Sequence, residues 1–220
     1  GWDDRDDDSI DVLRGGSGDD HYWVSSSRNP HSVSVITEEA GDGNDKVTFA
    51  VAGNNRYFLP AEIEQLDIEF HSGDPVVLGS GNVLDNVIQI SSAPGERAYG
   101  FLVGRAGNDT LIGGNGDDIL IGDSGADRLA GGNGSDVYKV DRVGDVVVET
   151  TPGHIGGLDT VESTAISYRL SPNVENLWLQ GDSAISGFGN SRNNVIYASS
   201  GDNRLVGGAG IDTLSYRSNH

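Results

Sequence analysis

Residues Gly104 to Lys139 read GRAGNDTLI, GGNGDDILI, GDSGADRLA and GGNGSDVYK, four consecutive units of nine residues. Each unit has Gly at its first and fourth places, Asp at its sixth (Asp109, Asp118, Asp127, Asp136) and a bulky residue at its eighth (Leu111, Leu120, Leu129, Tyr138). Self-similarity at a short fixed period marks a repeat architecture, in which each unit buries its apolar face only by stacking on the next. Glycine supplies the positive φ of a tight turn and brings backbone carbonyls to its inside, where the short carboxylate that follows reaches the same point. Carbonyl and carboxylate oxygens without nitrogen or sulfur suit a hard cation. The last three residues of each unit, with the large apolar one in the middle, suit a short strand pointing one side chain inward. Turn and strand in alternation predict a flattened coil.

The pattern resembles the RTX (haemolysin-type) calcium-binding nonapeptide family, GGxGxDxUx, which the unit GGNGDDILI matches almost letter for letter. The resemblance implies an all-β fold, a right-handed parallel β-roll in which two nonapeptides make one turn and calcium lies between loops stacked two repeats apart. It also implies the ligands: carbonyls from the second and fourth places of one loop, carbonyls from the first and third places of the stacked loop, and both sixth-place carboxylates. The first site then uses Arg105, Gly107 and Asp109 with Gly122, Ser124 and Asp127, and the second uses Gly114, Gly116 and Asp118 with Gly131, Asn133 and Asp136. A third shares Asp127, with the carbonyls of Asp123 and Gly125, and is closed by Val140, Arg142 and Asp145 of the degenerate unit VDRVGDVVV. Six oxygens fall within the ~6–8 ligands that calcium takes.

Composition agrees with a cation partner. The 220 residues carry a formal charge of −20 and 33 glycines beside 35% hydrophobic residues, with a pI near 4.3. Such a charge disfavours nucleic acid and anionic membrane as partners, since neither meets a basic patch. Carboxylates stacked about 5 Å apart repel by roughly 3 kcal/mol at an effective dielectric near 20. Summed along a ladder, that rivals a domain's whole stability of ~5–15 kcal/mol, and a bound dication reverses its sign. There is no Cys and no Met, so disulfides and thiolate metal sites do not arise. Neither a signal segment nor an apolar run of membrane-spanning length is visible, and the chain, opening in mid-repeat, reads as a piece of a longer polypeptide.

Outward from the central units, five regions are expected: the start of a first roll at 1–20, a strand insert at 21–80, a central calcium roll at 81–139, a second insert at 140–186 and an Asn-type roll at 187–220. In the first, GGSGDDHYW (15–23) keeps Gly15, Gly18, Asp20 and Tyr22, but one turn later, from Val33, the motif is gone, so the nonapeptide pattern completes no shell around Asp20. In the second, alternating segments such as DKVTFAV and AEIEQLDIEF read as strands with Ile63, Leu66 and Ile68 inward. Between the first Asn-type rung and Gly104, SSAPGERAYGFLV keeps Leu102 inward, puts Gly100 where Asp belongs and leaves Ile90–Pro94 surplus, which suggests a bulge or small loop.

The design then recurs. GSDVYKV (134–140) echoes GDDHYWV (18–24), GLDTV (157–161) echoes GNDKV (43–47), VENL (174–177) echoes IEQL (63–66), and GFGNSRNNVI (187–196) echoes GSGNVLDNVI (79–88). This is an internal duplication of a composite unit. Its Asn-type rungs hold Asn86, Asn194, Asn203 and Asp212 at the sixth place. Asn keeps a carbonyl oxygen but brings no charge. One weak site, Asn190, Arg192 and Asn194 against Gly207, Ala209 and Asp212, competes with rungs held by Asn–backbone hydrogen bonds without metal, and the latter reading is favoured.

No HExxH, G-x-S-x-G, phosphate loop or Cys nucleophile occurs, and the histidines (His21, His31, His71, His154, His220) are dispersed. Asp74-Pro75 reads as a turn rather than a self-cleavage dipeptide, and the sequons at Asn108 and Asn133 fall inside the cation loops. The resemblance implies a non-catalytic, calcium-folded region of a bacterial secreted or cell-surface protein exported by type I secretion. One rival is the folding domain of a secreted protease or lipase, with the rest of a larger secreted polypeptide as partner. The other is an adhesin binding surface glycan through Trp2, Trp23, Trp178, Tyr57 and Tyr168.

Overall fold

The computed structural model describes residues 12–25, 35–41, 43–51, 55–71, 73, 75–92, 95–150, 156–183 and 185–216. Among them there is no helix, and every strand pairing is parallel. Two sheets carry the molecule. The first runs in spatial order Val146–Val147, Arg128–Asn133, Thr110–Asn115, Val87–Ser92, Gln65–Phe70, Lys46–Ala50 and His21–Ser25. The second runs Thr213–Ser215, Val195–Tyr197, Asn176–Leu179, Thr160–Ser163, Val137–Val140, Ile119–Ser124, Tyr99–Ala106, Val76–Ser80 and Arg56–Phe58. Consecutive strands alternate between the two over most of the chain, which makes a β-solenoid of about ten turns, in keeping with the β-roll expectation. Two smaller parallel sheets complete it: Ser167–Arg169, Ser186–Phe188 and Arg204–Val206, and a pair of Val12–Leu13 with Val35–Ile36.

Register follows the sequence period where that period exists. Leu111 pairs with Leu129, and Leu120 lies between Leu102 and Tyr138. All five side chains are fully buried, so each nine-residue unit contributes one inward residue to the core.

Residues 21–80 and 140–186, read as strand inserts, carry on the same ladders. Leu66 pairs with Val47 on one side and Ile88 on the other, and Val161 lies between Tyr138 and Leu177. Most of their turns depart from eighteen residues, although Val146 still follows Arg128 at that spacing, and longer strands absorb part of the difference. Gln65–Phe70 sends in Leu66, Ile68 and Phe70, all buried. Of the surplus at Ile90–Pro94, the first three residues are settled in the same way. Ile90, Ser91 and Ser92 make no bulge; they prolong a strand that pairs with Ile68, Glu69 and Phe70. Pro94 and residue 93 lie outside the described residues.

The duplication has an unexpected geometry. His21–Ser25 lies in the first sheet, whereas its echo Val137–Val140 lies in the second. The two copies are offset by an odd number of half-turns, so equivalent strands face opposite sides of the coil.

Candidate metal centre

The central loops sit at the two edges where the chain passes between sheets, and each is tied to the next by its sixth-place carboxylate. On one edge the Asp109 N–H donates to Asp127 Oδ1 at 2.8 Å, and the Asp127 N–H to Asp145 Oδ1 at 3.2 Å. On the other the Asp118 N–H donates to Asp136 Oδ1 at 2.8 Å, and the Asp136 N–H to Asp159 Oδ1 at 2.9 Å. Gly100, which occupies an Asp place, keeps the tie through its own N–H to Asp118 Oδ1 at 2.5 Å.

One oxygen of each carboxylate is thereby used, and the other is not. Oδ2 of Asp109, Asp118, Asp127 and Asp136 is buried with no hydrogen-bond partner, and the four residues are at most 1% exposed. A buried acceptor without a partner costs about 1–3 kcal/mol, and more when charged. Burial accordingly pushes the carboxyls of Asp109 and Asp118 up to about 7 and that of Asp136 to about 8, and raises Asp127 as well. Four orphaned carboxylate oxygens at successive loops have the chemistry a hard dication takes.

Backbone carbonyls converge on the same gaps. A Cβ at Gly113 would run into Asp118 Oδ2 and come within 2.9 Å of the Gly131 carbonyl oxygen, so these two oxygens share one small space that only glycine leaves open. The carbonyls of Gly114 and Gly116 point at the α-carbons of Gly132 and Gly134 in the next loop, and that of Gly107 at Gly125. Gly122 gives way to Asp127 Oδ2 as Gly113 does to Asp118. Arg105 (φ 83°) and Asp123 (φ 60°) hold the left-handed backbone that glycine holds at the second place of the other loops. The third-place carbonyls are shared: Ser124 O accepts the Gly107 N–H at 3.0 Å and Asn133 O the Gly116 N–H at 2.8 Å. The first two expected residue sets thus lie in directly stacked loops.

The third set differs in its outer loop. Loops 123–127 and 140–145 do stack, but Asp145 Oδ2 already accepts N–H groups of its own loop, from Asp141 at 3.1 Å and Arg142 at 3.3 Å. Asp127 therefore faces a closed turn with no orphaned oxygen on the Asp145 side, and Val140 and Arg142 border it. VDRVGDVVV lacks the first-place glycine that opens the other loops.

The Asn-type rungs satisfy themselves. Asn194 Oδ1 accepts the Asn190 N–H at 2.8 Å, while its Nδ2 donates to the carbonyls of Val174 and Glu175, both at 3.1 Å. Asn86 repeats this with the Asn82 N–H and the carbonyls of Ile63 and Glu64. At the expected weak site, Asn194 presents N–H donors to the neighbouring turn, and no buried orphaned oxygen occurs at Asn194 or Asp212.

The ladder also recruits residues that nonapeptide reasoning passes over. The Asp45 N–H donates to Glu64 Oε2 at 2.7 Å, and the Asp159 N–H to Glu175 Oε2 at 3.1 Å. The duplication was the available signal, since the echoes GNDKV/GLDTV and IEQL/VENL contain all four. The proposed aromatic face does not assemble. Exposed Trp23 and half-buried Trp178, which packs edge-on against Tyr197, belong to different sheets, Tyr168 is buried, and Tyr57 packs on Phe49. Trp2, Asp74, His31, His154 and His220 lie outside the described residues.

The family model for the RTX calcium-binding nonapeptide repeat matches in four copies, at residues 5–26, 103–138 and 187–214. No curated protein matches the chain. The chain therefore carries RTX repeats, which bind calcium, and forms a calcium-binding β-roll region; no catalytic family is indicated. Among the described residues no helix is long and apolar enough to cross a membrane.

Proposed function

We propose that this region is a non-catalytic folding and spacing module of a bacterial secreted or cell-surface protein, loose at low cytosolic calcium and folded by calcium after type I export. The observation that carries the reading is the row of buried, partnerless Oδ2 atoms on Asp109, Asp118, Asp127 and Asp136. Calcium held by Arg105, Gly107, Asp109, Gly122, Ser124 and Asp127, and by Gly114, Gly116, Asp118, Gly131, Asn133 and Asp136, gives those oxygens a partner and cancels the repulsion along each edge. Metal binding of this kind is folding free energy. Each ion contributes about 2.7 kcal/mol when free calcium exceeds its dissociation constant a hundredfold.

Circular dichroism tests the coupling. At pH 7.5 chelator lowers the β signal and leaves only a marginal fold, and calcium restores it; a spectrum indifferent to both additions would refute the reading.

A further inference from the structure

Beyond the nonapeptides, three carboxylates meet at the end of the second calcium line. Asp136, Glu149 and Asp159 each bring an oxygen within 4.8 Å of the other two, and all three residues are buried. Glu149 is 6% exposed, and its Oε2 has no partner, like Asp136 Oδ2. Its Oε1 accepts the Tyr138 hydroxyl, whose oxygen in turn accepts the Gly131 N–H at 2.9 Å. Tyr138 thus fixes where Glu149 points. A Cβ at Gly131 would run into both Asp136 Oδ2 and the Tyr138 hydroxyl, which shows how closely the group converges on this loop.

The same arrangement exists in the other half. Asp20, Glu38 and Asp45 lie within the same 4.8 Å of one another. Asp20 Oδ2, Glu38 Oε2 and the Tyr22 hydroxyl are buried without partners. The Gly15 N–H donates to Glu38 Oε1 at 3.2 Å, and a Cβ at Gly15 would run into Asp20 Oδ2 and the Tyr22 hydroxyl. Gly15, Asp20, Tyr22, Glu38 and Asp45 therefore repeat Gly131, Asp136, Tyr138, Glu149 and Asp159, in a part of the chain where the nonapeptide pattern completes no shell.

Register explains why a glutamate appears. Val147 pairs with Leu129 and Ile36 with Leu13, and Glu149 and Glu38 follow two residues on, as Gly131 and Gly15 follow Leu129 and Leu13. Each glutamate therefore takes the place of a first-place loop glycine in the stacked turn. Asp118 and Asp136 are separated by 18 residues, but Asp136 and Asp159 by 23 and Asp20 and Asp45 by 25, so the glutamate stands where the nonapeptide loop gives out.

The geometry points to a second kind of calcium site, one in each half, in which Asp136, Glu149 and Asp159, and likewise Asp20, Glu38 and Asp45, hold the ion through three side-chain carboxylates. The inference rests on the calcium reading of the central loops. With three anionic ligands in place of two, these sites bind calcium more tightly than the nonapeptide sites, because affinity rises with ligand charge. They cap the glycine loops where the repeat gives out.

Ion counting on the whole chain by equilibrium dialysis against calcium chloride tests this, comparing wild type with Glu149→Gln, Glu38→Gln and the double variant. Each single substitution removes one ion, taken from the tightest class, and the double removes two. An unchanged count in folded Glu149→Gln overturns the inference and leaves the nonapeptide sites standing, whereas a wild type that takes up no calcium overturns the underlying reading instead. Should a Gln variant fail to fold, terbium replaces calcium on otherwise intact chains. Tyrosine-sensitised emission falls in Tyr138→Phe and again in Tyr22→Phe, and emission unchanged by both substitutions overturns the inference.

Discussion

The Gly/Asp rungs at 104–136 and the Asn rungs around Asn86 and Asn194 occupy equivalent places in one continuous coil, yet they solve opposite electrostatic problems. At a Gly/Asp rung the sixth residue ties the previous turn with one oxygen and leaves the other buried and unpaired. At an Asn rung the side-chain oxygen instead accepts an N–H of its own loop, and the amide's N–H groups close the gap by donating to two carbonyls of the preceding turn. One rung is incomplete without a cation; the other is complete without one. Replacing a single oxygen by nitrogen converts an acceptor pointing at other acceptors into a donor pointing at them. Positive charge is also supplied locally beside the Asn rungs: Arg192 pairs with Glu175 at 3.4 Å and donates to Asn173 Oδ1 at 2.6 Å.

The sharpest way to separate the two is pH in the presence of chelator. Asp109, Asp118 and Asp159 rise to about 7 and Asp136 to about 8 through burial, from an ordinary value of 3.8. A carboxyl that holds its proton more tightly when folded favours the folded state below its unfolded pKa, and that contribution is lost as pH rises through the folded pKa. Without calcium these four groups therefore favour the folded chain most at and below about pH 4, and resistance to urea falls progressively from there until pH passes 7 to 8. Saturating calcium flattens the dependence across that window. Urea midpoints that rise from pH 5 to pH 8 in chelator would show that the buried carboxylates do not govern the empty fold.

A smaller effect comes from removing one rung. Asp118→Ala deletes a ligand of the second site and costs about 3 kcal/mol or more in saturating calcium, the loss of an ion together with a ladder hydrogen bond of about 1 kcal/mol. In chelator it costs little, or stabilises, because a repelling carboxylate has gone. Urea midpoints in both buffers read the difference directly, and an equal loss in each would contradict a cation role for this residue.

The smallest effect, and the one that isolates the Asn design, is Asn194→Ala. It strands the Asn190 N–H and two carbonyls, a cost of about 1–3 kcal/mol. That cost is the same with calcium or chelator, because no ion is involved. A calcium-dependent penalty at Asn194 would merge the two kinds of rung into one.

What was legible beforehand followed the period. From Gly104 to Lys139 every register position was readable, because a nine-residue repeat fixes which residue points inward and which carboxylates stack. The first two ligand sets came from the resemblance to the RTX repeat, laid onto that regularity, and they fall in stacked loops. Where turns run to 16, 19, 23 or 25 residues the period vanishes, and Lys46–Ala50 or Thr160–Ser163 looked like strands of an insert rather than rungs of the same coil. Asp145 looked equivalent to Asp127 by letter, and only its backbone turn shows its second oxygen already taken. Glu149 was missed for another reason: it keeps the register, following Val147 as Gly131 follows Leu129, but the nonapeptide pattern has a glycine, not a ligand, at that place. The face-swapping of the two copies depends on counting half-turns through that irregular region.

Calcium anomalous scattering from crystals of the whole chain grown in calcium tests the contrast most directly. Peaks are expected between Asp109 and Asp127 and between Asp118 and Asp136, with none beside Asn86 or Asn194. A full-occupancy peak between Asn194 and Asp212, with nothing between Asp118 and Asp136, would contradict the account.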